Sequence, residues 1–309
     1  MKAVRIHHYG DVDTLLYEDA PMPKVAPDEV LIKVTAAGVN PMDWKVRKGV
    51  LKDYRQLDFP LILGWDVSGT IAQTGVLVSQ FAPGDKVYAR SDTSRNGAYA
   101  EYITVRAEEV AFAPDSVPLN FAAGIPLAAQ TAWMGLFEEG SLNEGQTVLI
   151  HGASGGVGSF AVQLAKLVKA DIIATTSTKN IDFVKALGAD KVIDYTKEDF
   201  STKVKNVDLV FDTVGGETQK KSWGVIKKGG ILVSTVGADQ NAAAQHHVTA
   251  KSFIVNSSGA RLQEISGLVD SNKLRVIIAK ELPLTEVKTA HKLSEEGHVK
   301  GKIILDVVH

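Results

Sequence analysis

Residues 151–158 read His151-Gly152-Ala153-Ser154-Gly155-Gly156-Val157-Gly158. The apolar run Thr147-Val148-Leu149-Ile150 stands directly before them, and the amphipathic stretch Ser159-Phe160-Ala161-Val162-Gln163-Leu164-Ala165-Lys166-Leu167 follows. Strand, glycine turn and helix in that order predict a phosphate cradle. Glycines let backbone N–H groups approach an anion, and a helix N-terminus adds favourable partial charge. Two registers of a G-x-G-x-x-G pattern fit: Ala153-x-Gly155-x-x-Gly158 and Gly156-x-Gly158-x-x-Ala161. The first places the turn right after Ile150 and is preferred. A tight turn that serves only helix–strand packing is the competing reading, and the flanking sequence decides between them.

From Thr147 onward, short apolar runs alternate with helical patterns. The runs are Thr147–Ile150, Asp171–Thr175, Lys191–Ile193, Val207–Phe211, Gly230–Val236 and Ser252–Asn256. Helices are expected at about Gly156 to Lys169, at Ile181–Leu187 behind an Asn180 cap with Gly188 as the stop, and from Glu217 to Lys227. Continuous apolar strands alternating with helices mean parallel strands buried on both faces. Six such strands are what a doubly wound dinucleotide-binding sheet uses, so the ligand reading of the turn prevails.

Before residue 115 the texture changes. Glu29-Val30-Leu31-Ile32-Lys33-Val34-Thr35 and Gly97 to Val105 alternate with period two, separated by turn signals such as Ala82-Pro83-Gly84-Asp85. A separate, largely antiparallel β domain is expected there. Gly301-Lys302-Ile303-Ile304-Leu305-Asp306-Val307 reads as a last strand rejoining it.

The bulk numbers exclude several functions. With 309 residues, 45% apolar and 23% charged, the chain can bury a large core. A net charge of -2 favours neither nucleic acid nor an anionic membrane. The absence of cysteine removes disulfides, thiolate nucleophiles and Cys-ligated zinc, and it fits a cytoplasmic address. No signal peptide is visible in Met1–His8. Ser116 to Phe137 is uncharged and long enough to cross a bilayer, but Pro118, Asn120, Pro126, Gln130 and Thr131 favour a buried helix with its loops. The eight histidines form no ligand pattern, and Glu108-Glu109 and Glu295-Glu296 read as solvated surface.

The choice of dinucleotide lies at the tip of the second strand, where an acidic residue would accept from a ribose 2′-hydroxyl. Here the strand runs out as Thr175-Thr176-Ser177-Thr178-Lys179-Asn180, with no carboxylate. Hydroxyls and Lys179 can donate to a 2′-phosphate, which points to NADP(H). Ser177 and Asn180 can also cap the next helix while facing the same loop.

The chain resembles the zinc-independent, quinone-oxidoreductase-like branch of the medium-chain dehydrogenase/reductase superfamily, close to its alkenal and quinone reductases. The resemblance spans nearly the whole sequence. It is carried by Ala36-Ala37-Gly38-Val39-Asn40-Pro41-Met42-Asp43-Trp44-Lys45, Leu63-Gly64-Trp65-Asp66-Val67-Ser68-Gly69, Gly84-Asp85-Lys86-Val87, Gly97–Tyr102, Gly152–Gly158, Leu187-Gly188-Ala189-Asp190, Val192–Glu198 and Gly301-Lys302. It implies an α/β protein with a GroES-like β-rich catalytic domain, residues 1–122 completed by 258–309. A doubly wound parallel-sheet (Rossmann) NADP(H)-binding domain would occupy residues 123–257. The positions of metal ligands in zinc-dependent relatives hold Asn40 and Trp65-Asp66 here, which agrees with the lack of cysteine, so no metal is expected.

By the same resemblance Asn40 should lie beside the nicotinamide and Thr131 near its carboxamide. Ala153, Ser154, Gly155, Gly156 and Val157 should hold the pyrophosphate, and Ser177, Lys179 and Tyr195 the 2′-phosphate. Val214, Val236 and Gly237 should line the adenosine and nicotinamide stretches, and Lys302 belongs to the same cofactor-binding set. One departure stands out: several quinone reductases place a Tyr where this chain has Lys45.

The activity so implied is NADPH-dependent hydride transfer to a quinone or an α,β-unsaturated carbonyl. It needs little acid–base machinery, because the coenzyme carries the reaction and a few donors stabilise charge on the substrate oxygen. Asn40, Lys45 and Tyr54 are the candidate donors. Against each stands a plainer role: a turn residue before Pro41, a surface lysine, and a tyrosine among charged loop residues. An NADP(H)-binding sensor or structural protein without turnover remains the alternative, since this chemistry leaves no obligatory acid–base signature. A small-molecule partner is expected, with no nucleic acid or membrane. The apolar edge Ser252–Asn256, together with the habit of the family, suggests a homodimer.

Overall fold

The computed structural model describes residues 1–53 and 57–307, which form two compact units. One comprises Met1–Leu127, Ser257–Asn272 and Val276–His309; the other comprises Ala128–Asn256 and Lys273–Arg275.

The second unit is built on a six-stranded sheet in which every pairing is parallel. Its spatial order is Lys191–Asp194, Asp171–Thr176, Thr147–Ile150, Val207–Asp212, Ile226–Ser234, Thr249–Ser252. In chain order that is 3-2-1-4-5-6, the doubly wound arrangement. The order reverses between Thr147–Ile150 and Val207–Asp212, and ligands of such sheets bind outside the carboxyl ends at that point. Val148, Leu149, Ile150, Leu209, Val210, Phe211, Leu232 and Val233 are buried, as strands covered on both faces require. The helix Gly156–Leu167 buries Phe160, Ala161, Val162, Leu164 and Ala165, and Ile181–Leu187 ends at Gly188 with φ 118°. In that left-handed region a glycine closes a helix without a Cβ clash.

Two sequence expectations shift here. The helix expected over Glu217–Lys227 stops early: Gly216–Ser222 is α-helical, Trp223–Val225 makes one 3₁₀ turn, and a strand begins at Ile226. The edge strand is Thr249–Ser252, not Ser252–Asn256. Its residues are small or polar because one side of an edge faces water, whereas the apolar run beyond it pairs with nothing in this sheet and leaves Ile254 89% exposed.

The other unit carries a seven-stranded, largely antiparallel sheet centred on the long strand Glu29–Val39. Asp66–Thr74, Tyr102–Arg106 and Lys302–Asp306 all pair with that strand. The last strand does rejoin this unit, with Ile304 opposite Gly38. A three-stranded sheet of Leu16–Asp19, Lys2–Ile6 and Leu61–Ile62 lies in the same unit, and Val4, Ile32, Val67, Ile103 and Leu305 share its core. Ser116–Phe137 folds as the short helices Leu119–Ala122 and Pro126–Trp133 followed by a π-helical turn, Met134–Glu139. Among the described residues no helix is long and apolar enough to cross a membrane.

The carboxylate pairs read as surface are split by the fold. Glu108 is exposed, but Glu109 is buried beside Arg106, and burial raises its pKa. Glu296 is exposed, whereas Glu295 is half-buried and ion-paired to both Arg47 and Lys48.

Candidate functional site

In the parallel-sheet unit, Gly155 is the N-cap of the helix Gly156–Leu167, and no side chain caps it. Ser159 N bonds back to Gly155 O, so the amides of Gly156, Val157 and Gly158 have no partner within the helix. Three uncapped amides at a helix N-terminus, beside the reversal of strand order, suit a diphosphate. The turn is closed on itself as well. A Cβ on Gly158 would stand 2.3 Å from Gly152 O and 2.7 Å from Ala153 Cα, so only glycine lets the helix pack this close. A Cβ on Gly155 would meet nothing nearer than Gly152 O at 3.4 Å, so the space in front of it is open.

Side chains fasten this turn to the neighbouring strand end. Ser154 Oγ accepts from Thr176 Oγ1 at 3.0 Å and from Asn180 Nδ2 at 3.1 Å. Asn180 sits at the N-cap position of Ile181–Leu187 yet makes no capping bond; its amide serves Ser154 instead. Ser177 is half-buried, while Lys179 and Tyr195 are exposed at the ends of adjacent strands. Beneath the turn His151 is fully buried. Its Nε2 bonds Ser222 Oγ and its Nδ1 bonds Thr175 Oγ1, each at 3.0 Å, and Ser222 Oγ itself donates to Thr218 O. The proton therefore belongs on Nε2. Burial pushes the imidazole down to about 4 and keeps it neutral.

A second constellation lies in the β-rich unit. Asn40 caps the helix Pro41–Arg47, and the Asp43 side chain accepts from Asn40 N at 2.8 Å. Asn40 Nδ2 donates to Asp66 Oδ2 at 2.8 Å, and Asn40 Oδ1 accepts from Lys302 Nζ. Lys302 Nζ also donates to Val39 O at 2.9 Å and lies 3.7 Å from Asp66 Oδ2. All four side chains are buried. Burial pushes Asp66 up and Lys302 down, and their mutual attraction opposes both shifts.

Asp43 is the end of a longer chain of bonds. Arg47 donates to His291 Nδ1 at 3.0 Å, His291 Nε2 faces Tyr99 Oη at 3.3 Å, and Tyr99 Oη donates to Asp43 Oδ2 at 2.8 Å. His291 is neutral, held down at about 3 by burial and by the Arg47 charge. Asp43 Oδ1 has no hydrogen-bond partner among the described residues, and burial pushes the carboxyl up to about 7. Gly64, at φ 76°, makes room for this arrangement, because a Cβ there would stand 2.1 Å from the Tyr99 ring.

Residues 26–115 match the alcohol dehydrogenase GroES-like domain, and residues 187–305 match the zinc-binding dehydrogenase family. The quinone oxidoreductase structure from Coxiella burnetii superposes with a TM-score of 0.94 at 35% identity, covering 100% of this chain and 99% of that one. The NADPH-dependent alkenal/one oxidoreductase, chloroplastic, of Arabidopsis thaliana is 35% identical over 99% of this chain and 79% of its own. The NAD(P)H oxidoreductase RTN4IP1, mitochondrial, of Danio rerio is 34% identical over 100% of this chain and 92% of its own. The chain belongs to the medium-chain dehydrogenase/reductase superfamily. Its seven-stranded and six-stranded sheets are accordingly the GroES-like and Rossmann parts of that fold.

Within this dehydrogenase/reductase frame the expected residues fall into separate groups. Ala153, Ser154, Gly155, Gly156 and Val157 form the turn, and Val214, Val236 and Gly237 follow neighbouring parallel strands. Thr131 is buried in Pro126–Trp133. Lys302 is in the β-rich unit, with its ammonium on Asn40, Val39 and Asp66. Lys45 does not join that cluster; its Nζ lies 5.6 Å from the centre of the Trp44 ring. Tyr54 lies outside the described residues. Sequence reasoning did not pick out Tyr99, Arg47 or His291, whose partners are far along the chain. It also missed Asp194, a buried carboxylate that accepts from Thr178 Oγ1 at 2.5 Å and from Thr196 N and Oγ1. The Thr178 bond, followed by the Thr196 bonds, holds its pKa below the usual carboxylate range. The signal for it was present: a carboxylate at the tip of the third strand, beside the 177–180 loop.

Proposed function

We propose that the protein is an NADPH-dependent, zinc-independent oxidoreductase that passes a hydride to a quinone or an α,β-unsaturated carbonyl. The observation that carries this reading is the uncapped glycine N-terminus of Gly156–Leu167 at the point where strand order reverses. The names of the relatives support the substrate class, and the absence of cysteine supports the lack of zinc.

Gly156, Val157 and Gly158 would hold the diphosphate through their amides. Ser177 and Lys179 would donate to the 2′-phosphate, with the exposed Tyr195 beside them. Bound there, the coenzyme would supply the hydride. Asn40 uses one amide hydrogen on Asp66 and keeps the second for the substrate oxygen on which charge develops. The Lys302 ammonium on Asn40 Oδ1 polarises that amide and strengthens it as a donor. The Rossmann edge Thr249–Ser252 and the exposed Ile254 are proposed as a homodimer contact, which size-exclusion chromatography at varied concentration tests. A cytoplasmic address is part of the same proposal.

The deciding experiment follows NADPH consumption with a panel of quinones and enals, after metal analysis of the purified protein. Turnover of at least one class without bound zinc is expected. Tight NADPH binding with no turnover on any member would favour a sensor instead.

A further inference from the structure

Three loops at the carboxyl ends of the parallel strands are joined by side chains. Thr213 Oγ1 donates to His151 O at 2.9 Å, which ties the loop after Val207–Asp212 to the glycine turn. The buried Asp212 carboxylate accepts from Val214 N at 2.9 Å and from Gly215 N at 2.8 Å. Gln219, on the short helix that follows, completes the set. Its Nε2 donates to Asp212 Oδ2 at 2.8 Å and to Gly237 O at 2.7 Å, and its Oε1 accepts from Asp239 N at 3.2 Å.

One carboxamide thus spans the loops after two adjacent strands. The chemistry suits an amide alone: two hydrogens meet a carboxylate and a carbonyl, and the oxygen meets a backbone N–H. Gln219 is only 8% exposed, so water cannot replace these bonds. On the two loops it joins stand Val214 and Val236, 53% and 46% exposed, with Val236 against the Gly215 backbone. Apolar side chains left open on the ligand-facing rim of such a sheet suit the flat ring and ribose of a dinucleotide.

We infer that Gln219 is a positioning residue for the dinucleotide: it sets the spacing of the Val214 and Val236 loops. The inference rests on the dinucleotide-binding reading above. Gln219→Met keeps the length and removes the polar bonds. Gln219→Glu keeps the acceptor for Asp239 N but places a second carboxylate beside Asp212.

The test measures NADPH affinity by calorimetry, and KM for NADPH and kcat, at pH 6 and pH 8 in the full chain. Gln219→Met should bind NADPH about tenfold more weakly at both pH values, because buried partners lose their bonds. Its KM for NADPH should rise while kcat at saturation changes little. Gln219→Glu should lose at least as much at pH 8 and regain part of it at pH 6, where a protonated Glu can again donate to Asp212. Affinity unchanged in Gln219→Met overturns the inference, whether or not Gln219→Glu folds. A wild-type chain that binds neither NADPH nor NADH overturns the dinucleotide reading and this inference with it. Wild-type binding with unaltered variants removes the role of Gln219 alone.

Discussion

Lys302 donates its ammonium to the side-chain oxygen of Asn40, and both residues are buried, at 5% and 3% exposure. The bond joins the last strand of the chain to the cap of the helix Pro41–Arg47. An amide held this way cannot flip, so its remaining N–H points in one direction. Asp66 supplies the opposite charge that lets the ammonium stay buried.

Replacing Lys302 with Met should therefore be costly twice over. It leaves Asp66 as an uncompensated buried charge, and losses of about 3–5 kcal/mol are typical of a buried pair broken from one side. Asn40 also loses its anchor. Chemical denaturation should show the stability loss, and the double variant Lys302→Met, Asp66→Asn should recover much of it. A double variant no more stable than Lys302→Met would show that the pair is not the source of the loss.

Coenzyme choice should follow the loop after Asp171–Thr176. Lys179→Ala should weaken NADPH by about tenfold and leave NADH nearly unchanged, since one favourable charge-assisted contact of about 1.4 kcal/mol is lost. Ser177→Asp should turn the preference toward NADH. Thermal shifts with each coenzyme at equal concentration read both effects. Equal shifts with NADPH and NADH in the wild type would place the selector elsewhere. Asp194 sharpens the test: its charge is taken up by Thr178 and Thr196, so Thr178→Val should free it to disfavour a 2′-phosphate.

The inner Rossmann strands were legible because each is largely an apolar run between helical patterns, and both faces are covered. The edge Thr249–Ser252 was not, since half of an edge strand faces water and its residues carry no apolar signature. The glycine turn could be read from its local spacing together with the strand alternation around it. The chain Arg47–His291–Tyr99–Asp43 could not, because Arg47 and His291 are 244 residues apart and only tertiary structure brings them together. Gln219 had no sequence signal at all; its partners Asp212, Ser234, Gly237 and Asp239 lie at or beyond the ends of two strands whose adjacency follows from topology.

His151, His291 and Asp43 together give a contribution to stability that peaks near pH 6.5. His151 and His291 have folded values near 4 and 3, below the ordinary 6.5, so the unfolded chain binds more protons and stability falls as pH drops below 6.5. Asp43 works the other way: its folded value near 7 lies above 3.8, so stability falls as pH rises through that range. Between pH 4 and 6.5 the two histidines outweigh Asp43, so these three groups together make stability rise with pH. Above 6.5 the two histidines drop out and Asp43 still acts, until about pH 7. Urea denaturation from pH 5 to 8 should trace this asymmetric peak, and Asp43→Asn should flatten its alkaline side. An alkaline limb unaltered by Asp43→Asn would assign it to other groups.

The two fingerprint glycines separate packing from ligand binding. Gly158→Ala forces a Cβ against backbone atoms at 2.3 and 2.7 Å, so the turn must open and the unliganded fold must weaken. A cost of about 1–3 kcal/mol is expected for such overpacking. Gly155→Ala meets no such obstacle, because its φ of -76° suits any residue and its Cβ would enter open space. If that space is where a diphosphate sits, the methyl group should cut NADPH affinity by about tenfold or more while leaving the unliganded melting temperature nearly unchanged. If the turn serves only to pack helix on strand, Gly155→Ala should leave nucleotide affinity untouched, and only Gly158→Ala should have any effect.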